Sequence, residues 1–333
     1  MNSSTRRSWV SFIVVLMFAT LYCLTALATQ SPESHYPVTI TNQNYAGEKV
    51  EYTYEKAPEK VVVVYQGCIE TMIALGLEDH VLASYGLDNE VKDEWKDGFA
   101  KMNYKDDVFS PDRETVTLME PDMIFSWGSF FGEKKMGEID AWNDKGVGTY
   151  MVFNSSPVTP RLLENEYLDL LNIGKIFNVE EKAETLVNEM KDSVTKTLEA
   201  TKDLAPVKVL VIEPVSDGKF SNYGANSLAG NMVTTLGGEL VKPDGNSLSK
   251  EDIIACDADV IFVVYMPYGR TDFGTMAEEY ISLVADDPIL KSVRAVQNNR
   301  LYAIQLGEVY ASGARTANGL AELAAGMYPE IAK

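Results

Sequence analysis

Short, continuous apolar runs alternate along most of this chain with longer stretches whose apolar residues recur at helical spacing. The runs in the first half are Val61–Tyr65, Val81–Tyr85, Met123–Trp127 and Tyr150–Phe153; those in the second are Val207–Ile212, Val260–Tyr265 and Leu301–Ile304. Runs that are apolar throughout, rather than at every second residue, suit strands covered on both faces, as in a parallel sheet. The helical patterns between them include Ile69–Leu77, Lys134–Asp144, Ser227–Leu236, Met276–Asp286 and Thr316–Met327. Strand and helix alternating in this way predict an α/β fold.

The middle of the chain breaks the rhythm. Pro160 opens a helical stretch without strand character, Asn178 interrupts it, and Glu180–Leu204 continues it to Pro206. That second part alone spans ~36 Å at the helical rise, and Ala183, Leu186, Val187, Met190, Val194 and Leu198 keep helical spacing along it. The pattern predicts two α/β lobes joined by a stiff helical spine. Before the first lobe, Val38-Thr39-Ile40 and Val50–Tyr54 alternate around Ala46-Gly47, which predicts a hairpin. Taken together these features divide the chain into a targeting segment over 1–28, a leader over 29–57, a first lobe over 58–159, the spine over 160–205 and a second lobe over 206–333. The lobes echo each other: Glu114 precedes Asp122-Met123-Ile124-Phe125 at the same spacing as Glu251 precedes Asp259-Val260-Ile261-Phe262.

The N-terminus adds a location. Arg6 and Arg7 precede the uncharged apolar run Trp9–Leu27, and Ala26-Leu27-Ala28 offers a small-x-small cleavage site, the layout of a secretory signal peptide. An uncleaved anchor is the alternative, since the run nears the ~20 residues of a spanning helix. Cys23 raises lipidation, but Tyr22 and Thr20 stand where a lipoprotein signal carries a small residue and leucine. The expected location is extracytoplasmic, by signal-peptide export.

The formal net charge of −20 over 333 residues excludes the basic stripe of a nucleic-acid binder. It names no ligand, since acidity reports solubility and long-range repulsion. Cys68 and Cys256 fall in different lobes and are expected as separate thiols. With only His35 and His80 present, a histidine-built metal site is not expected, and no resident cofactor is implied. Phosphate-binding loops and nucleophile elbows are also missing. The alternative of another class is an exported hydrolase using Cys68, for which His80 is the nearby base.

In open α/β sheets ligands lie outside the carboxyl ends of the strands. Those positions hold Tyr65 and Gln66, then Trp127 with Phe130 and Phe131; the second lobe contributes Asn222 and Tyr223, Tyr265 with Tyr268 and Arg270, and Tyr310 with Ser312 and Arg315. The set predicts a cleft lined by flat aromatic faces, with Arg270 and Arg315 suited to an anionic oxygen ligand.

The segment Ala57-Pro58-Glu59-Lys60-Val61-Val62-Val63-Val64-Tyr65, then Glu70 and Ala74-Leu75-Gly76-Leu77, resembles the opening of iron-siderophore and cobalamin binding proteins, the periplasmic binding proteins with a helical backbone. Leu118–Ile124, Leu236-Gly237-Gly238, Asp257–Ile261, Ser312-Gly313-Ala314-Arg315 and Tyr328-Pro329-Glu330 agree in order and spacing. The resemblance implies two Rossmann-like α/β lobes joined by a long rigid backbone helix, with a ligand cleft between the lobes. It implies a monomeric, non-catalytic receptor that delivers its ligand to an ABC transporter permease. A glutamate on each lobe would dock that permease: Glu133 and Glu251, with Glu114 a competing first-lobe choice. Trp127 matches a ring-stacking position. The expected ligand is an Fe3+-bearing chelate, a ferric siderophore, with cobalamin or haem as the alternative.

Overall fold

The computed structural model describes residues 35–267, 272–310 and 313–331. The signal segment with Cys23, and Tyr268, Arg270 and Ser312, lie outside the described residues. All elements below belong to one unit beginning at Val38.

The leader forms the expected hairpin. β1 (Val38–Gln43) pairs antiparallel with β2 (Lys49–Tyr54), Val38 opposite Tyr54 and Gln43 opposite Lys49. The turn closes through Gly47 at φ 81°, a conformation that suits glycine.

The first lobe runs β3 (Val61–Val64), α1 (Gln66–Leu75), β4 (Val81–Tyr85), α2 (Lys96–Phe99), α3 (Arg113–Met119), β5 (Met123–Ser126), α4 (Ile139–Asn143) and β6 (Gly148–Met151). Its sheet has the order β4-β3-β5-β6, every pair parallel, so all four strands end at one edge. Val61–Val64 are wholly buried, the burial on both faces that their unbroken apolar run called for.

The spine consists of α5 (Leu163–Ile176) and α6 (Glu180–Thr201). Asn178, at φ 55°, makes the break, a left-handed conformation that asparagine tolerates better than most residues. At 22 residues α6 is ~33 Å long. Leu163, Tyr167 and Leu170 of α5 and Val187, Met190 and Val194 of α6 share one core cluster with Val209, Val211 and Phe262 of the second lobe. The spine therefore stiffens by packing on that lobe, since a solitary helix of such length gains little stability from propensity alone.

The second lobe contains β7 (Lys208–Pro214), β8 (Phe220–Asn222), α7 (Leu228–Thr235), β9 (Glu239–Leu240), β10 (Ser247–Leu248), α8 (Lys250–Cys256), β11 (Val260–Tyr265), α9 (Phe273–Ala285), α10 (Arg294–Gln297), β12 (Leu301–Gln305), α11 (Leu306–Val309) and α12 (Thr316–Met327). Its sheet order is β10-β8-β7-β11-β12, with β9 also on β7; β7, β11 and β12 are parallel.

The echo in the sequence is a structural repeat. In each lobe a seven-residue helix starts from a side-chain cap, Asp112 for α3 and Ser249 for α8. Each ends on an acidic residue in the left-handed region, Glu120 at φ 50° and Asp257 at φ 45°. An aspartate then precedes the strand and ties it to the lobe's first strand: Asp122 accepts from the Glu59 and Lys60 amides, Asp259 from the Lys208 amide.

One expected helix shrinks. Of Lys134–Asp144 only Ile139–Asn143 is helical, because Gly132 and Gly137, both at positive φ, pair with each other and turn the chain back first.

Candidate functional site

The carboxyl ends of the parallel strands of both sheets meet across a cleft. On the first lobe, β3 leads into Tyr65 and β5 into Trp127; on the second, β12 runs through α11 into Tyr310. Trp127 and Tyr310 stack across the cleft, ring centroids 5.3 Å apart and planes 13° from parallel. Tyr65 lies against Trp127 at 4.9 Å and near Phe130 at 6.4 Å, and Phe130 in turn meets the exposed Phe109 at 5.8 Å. Five rings thus run from the inter-lobe contact out to a surface loop.

Tyr65 occupies an unusual backbone conformation, φ 98° and ψ 146°, at the point where β3 gives way to α1. Such a conformation is costly for a residue with a β-carbon and is held only by its surroundings. Here the Tyr65 amide donates to the Tyr85 carbonyl, and the side chain hydrogen bonds the half-buried Asp88. Gly86 lets the Phe109 backbone and the Tyr65 amide approach closely; a β-carbon there would lie about 3 Å from both.

Two cations stand over these rings: Lys135 Nζ lies 5.7 Å from the Phe130 ring centroid, and Arg161, a residue that carried no expectation from the sequence, lies at the Trp127–Tyr310 end. The Arg161 guanidinium sits 4.0 Å from the Tyr310 ring centroid and 5.6 Å from that of Trp127, within cation–π range. Tyr223, nearly buried, stands on the second-lobe side and donates its hydroxyl to Glu213 at 2.7 Å. Burial, with the neighbouring Glu213 carboxylate, pushes the Tyr223 phenol well up and keeps it a donor.

The other end of the cleft is polar. A cavity of about 370 Å³ is lined by Glu90, Val91, Lys92 and Asp93 from the first lobe and Tyr265, Gln305 and Arg315 from the second. Arg315 is buried there and its charge is taken: Nε donates to Glu70 Oε2 at 2.6 Å, Nη2 to Glu70 Oε1 at 2.7 Å and Nη1 to Gln305 at 3.0 Å. Nη2 also donates to the Glu90 carbonyl. Lys92 likewise pairs with Glu308 at 2.9 Å. These bonds join α1 and the loop after β4 to the second lobe. Burial raises Glu70 above the ordinary carboxylate range, with Arg315 pulling against that shift. Glu322, an exposed residue whose carboxyl is partly desolvated by its neighbours, is pushed up to about 8 by that desolvation and by its contact with Glu308.

Of the residues expected on the cleft wall, Tyr65, Trp127, Phe130 and Tyr310 come together in one cluster of rings, with Tyr223 near Tyr310. Tyr265 lies at the polar end, its ring 6.1 Å from Tyr280. Three have other duties. Gln66 is buried, accepting from the Asp88 and Asn89 amides and donating to Glu70. Phe131 packs in the first-lobe core with Val116, Met136 and Trp142. Arg315, expected to hold a ligand anion, is committed to Glu70 instead.

The catalytic alternative finds no support in the geometry. Cys68 is wholly buried, and burial with Asp169 and Glu166 nearby pushes its thiol well up, the opposite of an activated nucleophile. His80 Nδ1 lies 2.6 Å from the Pro58 carbonyl, and its ring packs edge-on against Phe177.

A family model described as periplasmic binding protein matches residues 61–306. The chain is a periplasmic binding protein. A solved structure of a periplasmic binding protein from Veillonella parvula is 31% identical and superposes with a TM-score of 0.83, covering 90% of this chain and 93% of the other. The petrobactin-binding protein YclQ of Bacillus subtilis is 27% identical over 78% of each chain. An uncharacterized ABC transporter substrate-binding lipoprotein, YvrC of Bacillus subtilis, is 24% identical over 90% of this chain and 88% of its own. Within this two-lobed binding-protein fold, the strand-end aromatics of both lobes are the residues that meet at Trp127 and Tyr310.

The binding protein also carries two exposed glutamates in equivalent places. Glu114 is the second residue of α3 and Glu251 the second of α8, the repeated helices. Glu133 is exposed too, but lies in the turn before α4; it lines the same surface concavity of about 470 Å³ as Glu114, with Arg113, Leu118, Lys134 and Lys135.

Proposed function

We propose that this chain is the extracytoplasmic receptor of an ABC importer, capturing an iron chelate of the ferric-siderophore class and delivering it to the permease. The observation that carries the reading is the cluster of Tyr65, Trp127 and Tyr310 with Arg161 at the meeting edge of the two sheets. Flat faces and a guanidinium suit a bulky chelate with aromatic or oxygen-anion donor groups better than a small sugar or amino acid. The relative named for petrobactin binding supports an iron chelate, and the relative named as an ABC transporter substrate-binding lipoprotein supports both the importer and a location outside the cytoplasm.

For permease docking we favour Glu114 with Glu251. Their shared position in the repeated helix–turn–strand places one exposed carboxylate on each lobe in matching local geometry, which Glu133 does not have. A pair of like-placed charges steers association and fixes register on a partner carrying arginines or lysines. The test is uptake of labelled ferric chelate by cells expressing charge-reversed variants. Glu114→Arg with Glu251→Arg abolishes uptake and leaves chelate affinity of the purified protein unchanged; Glu133→Arg leaves both intact. Normal uptake by the double variant would remove the docking assignment, and failure of the purified protein to bind any ferric chelate would remove the ligand class.

A further inference from the structure

We propose that Arg161 is the charge-selecting residue of the cleft, so that the binding protein takes a chelate whose metal-bound oxygens are anionic and discriminates against a neutral one. The inference rests on the iron-chelate reading and goes one step further, to the charge of the ligand and the side chain that reads it.

The described cations of the cleft differ in what already holds them: Lys135, at the outer end of the ring row, is exposed and donates to the Ser129 carbonyl. Arg315 is neutralised by a two-point bond to Glu70, and Lys92 by Glu308. Arg161 has no carboxylate within ion-pair distance among the described residues. Nε donates to the Asn154 carbonyl at 2.8 Å, and neither Nη has a hydrogen-bond partner there. A guanidinium carries five donors and stays charged at any relevant pH. Leaving most of them unmet in a half-buried position costs free energy that solvent recovers only in part.

Arg161 is also held firmly. Asn154, which supplies the carbonyl, is wholly buried; it donates to the Leu162 carbonyl and to Glu166, and accepts from the Leu162 amide and from Asn165. The Arg161 amide donates to the Asn226 carbonyl of the second lobe at 3.0 Å. The Tyr310 ring then supports the guanidinium face at 4.0 Å. Both nitrogens of its fork remain unspent, fixed in place before any ligand arrives. An arginine fork matches a pair of adjacent anionic oxygens such as a carboxylate or a catecholate presents.

The charge of the whole chain makes this cation matter more. At a formal −20 the protein repels anions at long range, so an anionic ligand needs a local positive group to bind. Arg161 supplies it where the aromatic faces supply contact area.

The test compares two ferric chelates, a trianionic tris-catecholate and a neutral tris-hydroxamate, titrated into wild type, Arg161→Gln and Arg161→Lys with tryptophan quenching as readout. Arg161→Gln weakens the anionic chelate roughly ten- to hundredfold, the scale of a lost hydrogen bond to a charged group. It changes the neutral chelate by less than about threefold, within the context variation of a lost neutral contact. Arg161→Lys, which keeps the charge and loses the fork, falls between. The neutral chelate reports that the variants are folded; if it binds no form of the protein, an unshifted melting temperature does so. Equal weakening of both chelates would make Arg161 a packing residue and overturn the proposal, as would unchanged anionic affinity in Arg161→Gln or tighter wild-type binding of the neutral chelate. If wild type binds neither chelate, the iron-chelate reading falls, and this proposal with it.

Discussion

The Arg315–Glu70 pair connects residues from opposite ends of the chain, and removing one partner gives a prediction with a calculable scale. Both side chains are essentially inaccessible, 2% and 0% exposed, and both oxygens of Glu70 accept from the guanidinium. Replacing Arg315 with methionine leaves the buried Glu70 carboxylate with Gln66 as its remaining side-chain hydrogen-bond donor. Breaking a buried pair in this way costs about 3–5 kcal/mol, because the stranded charge keeps its desolvation penalty and loses its compensation. At roughly 2–3 °C per kcal/mol for a large chain, the melting temperature falls by about 6–15 °C. Replacing both, Glu70→Leu with Arg315→Met, removes the stranded charge, and most of the loss returns even though no ion pair is restored. Calorimetric melting of wild type, both single variants and the double variant forms a cycle that isolates the coupling. A single variant that melts within about 2 °C of wild type, less than one kcal/mol on the same scale, would refute the buried-pair reasoning. So would a double variant no more stable than the worse single one.

The remaining predictions concern pH, the aromatic contact and the spine. Glu322 has its folded-state pKa raised from 4.5 to about 8, so the stability it contributes is complete below pH ~4.5 and is lost as pH rises through about 8. Chemical denaturation between pH 5 and 9 shows a decline that Glu322→Gln flattens, and a profile unaltered by the substitution would reject the assignment. Trp127→Ala removes the cross-lobe stack, which contributes about 0.5–1.5 kcal/mol beyond burial. Chelate affinity therefore falls more than in Phe131→Leu, whose site is in the lobe core. In the spine, Asn178→Val places a β-branched residue at φ 55° and destabilises by about 1–2 kcal/mol; Asn178→Gly leaves stability near wild type.

Much of the scaffold was legible because its elements are locally determined. Val61–Val64, Val260–Tyr265 and Thr316–Met327 follow directly from unbroken apolar runs and helical periodicity. The break at Asn178 was also readable, since few residue types sit comfortably in the left-handed region. β8, β9 and β10 escaped notice because two or three residues among Gly, Asn, Asp and Ser show no period; their pairing is decided by neighbours in the sheet. Phe131 follows the strand-end aromatics, yet Gly132 turns the chain so that its ring enters the core. Local sequence holds no sign of that turn's direction.

The site was legible by residue type more than by role. Tyr65, Trp127, Phe130 and Tyr310 come together from strand ends because parallel strands bring their carboxyl ends to one edge. The partner of Arg315 is decided at long range. Nothing near Arg315 announces that Glu70 will satisfy it, and nothing near Arg161 announces that no carboxylate among the described residues will. Which cation stays uncompensated depends on how the lobes meet. The one legible clue to Arg161 was its position at the entrance to the spine, where the chain crosses between lobes.

Capture of a chelate between the lobes is tested most directly by equilibrium dialysis of radio-iron-labelled ferric tris-catecholate against the purified protein, wild type beside Trp127→Ala with Tyr310→Ala. The account predicts one iron retained per wild-type chain at saturation and little retained by the double variant, with both proteins equally folded. No retention by wild type, or retention indifferent to loss of both rings, would contradict it.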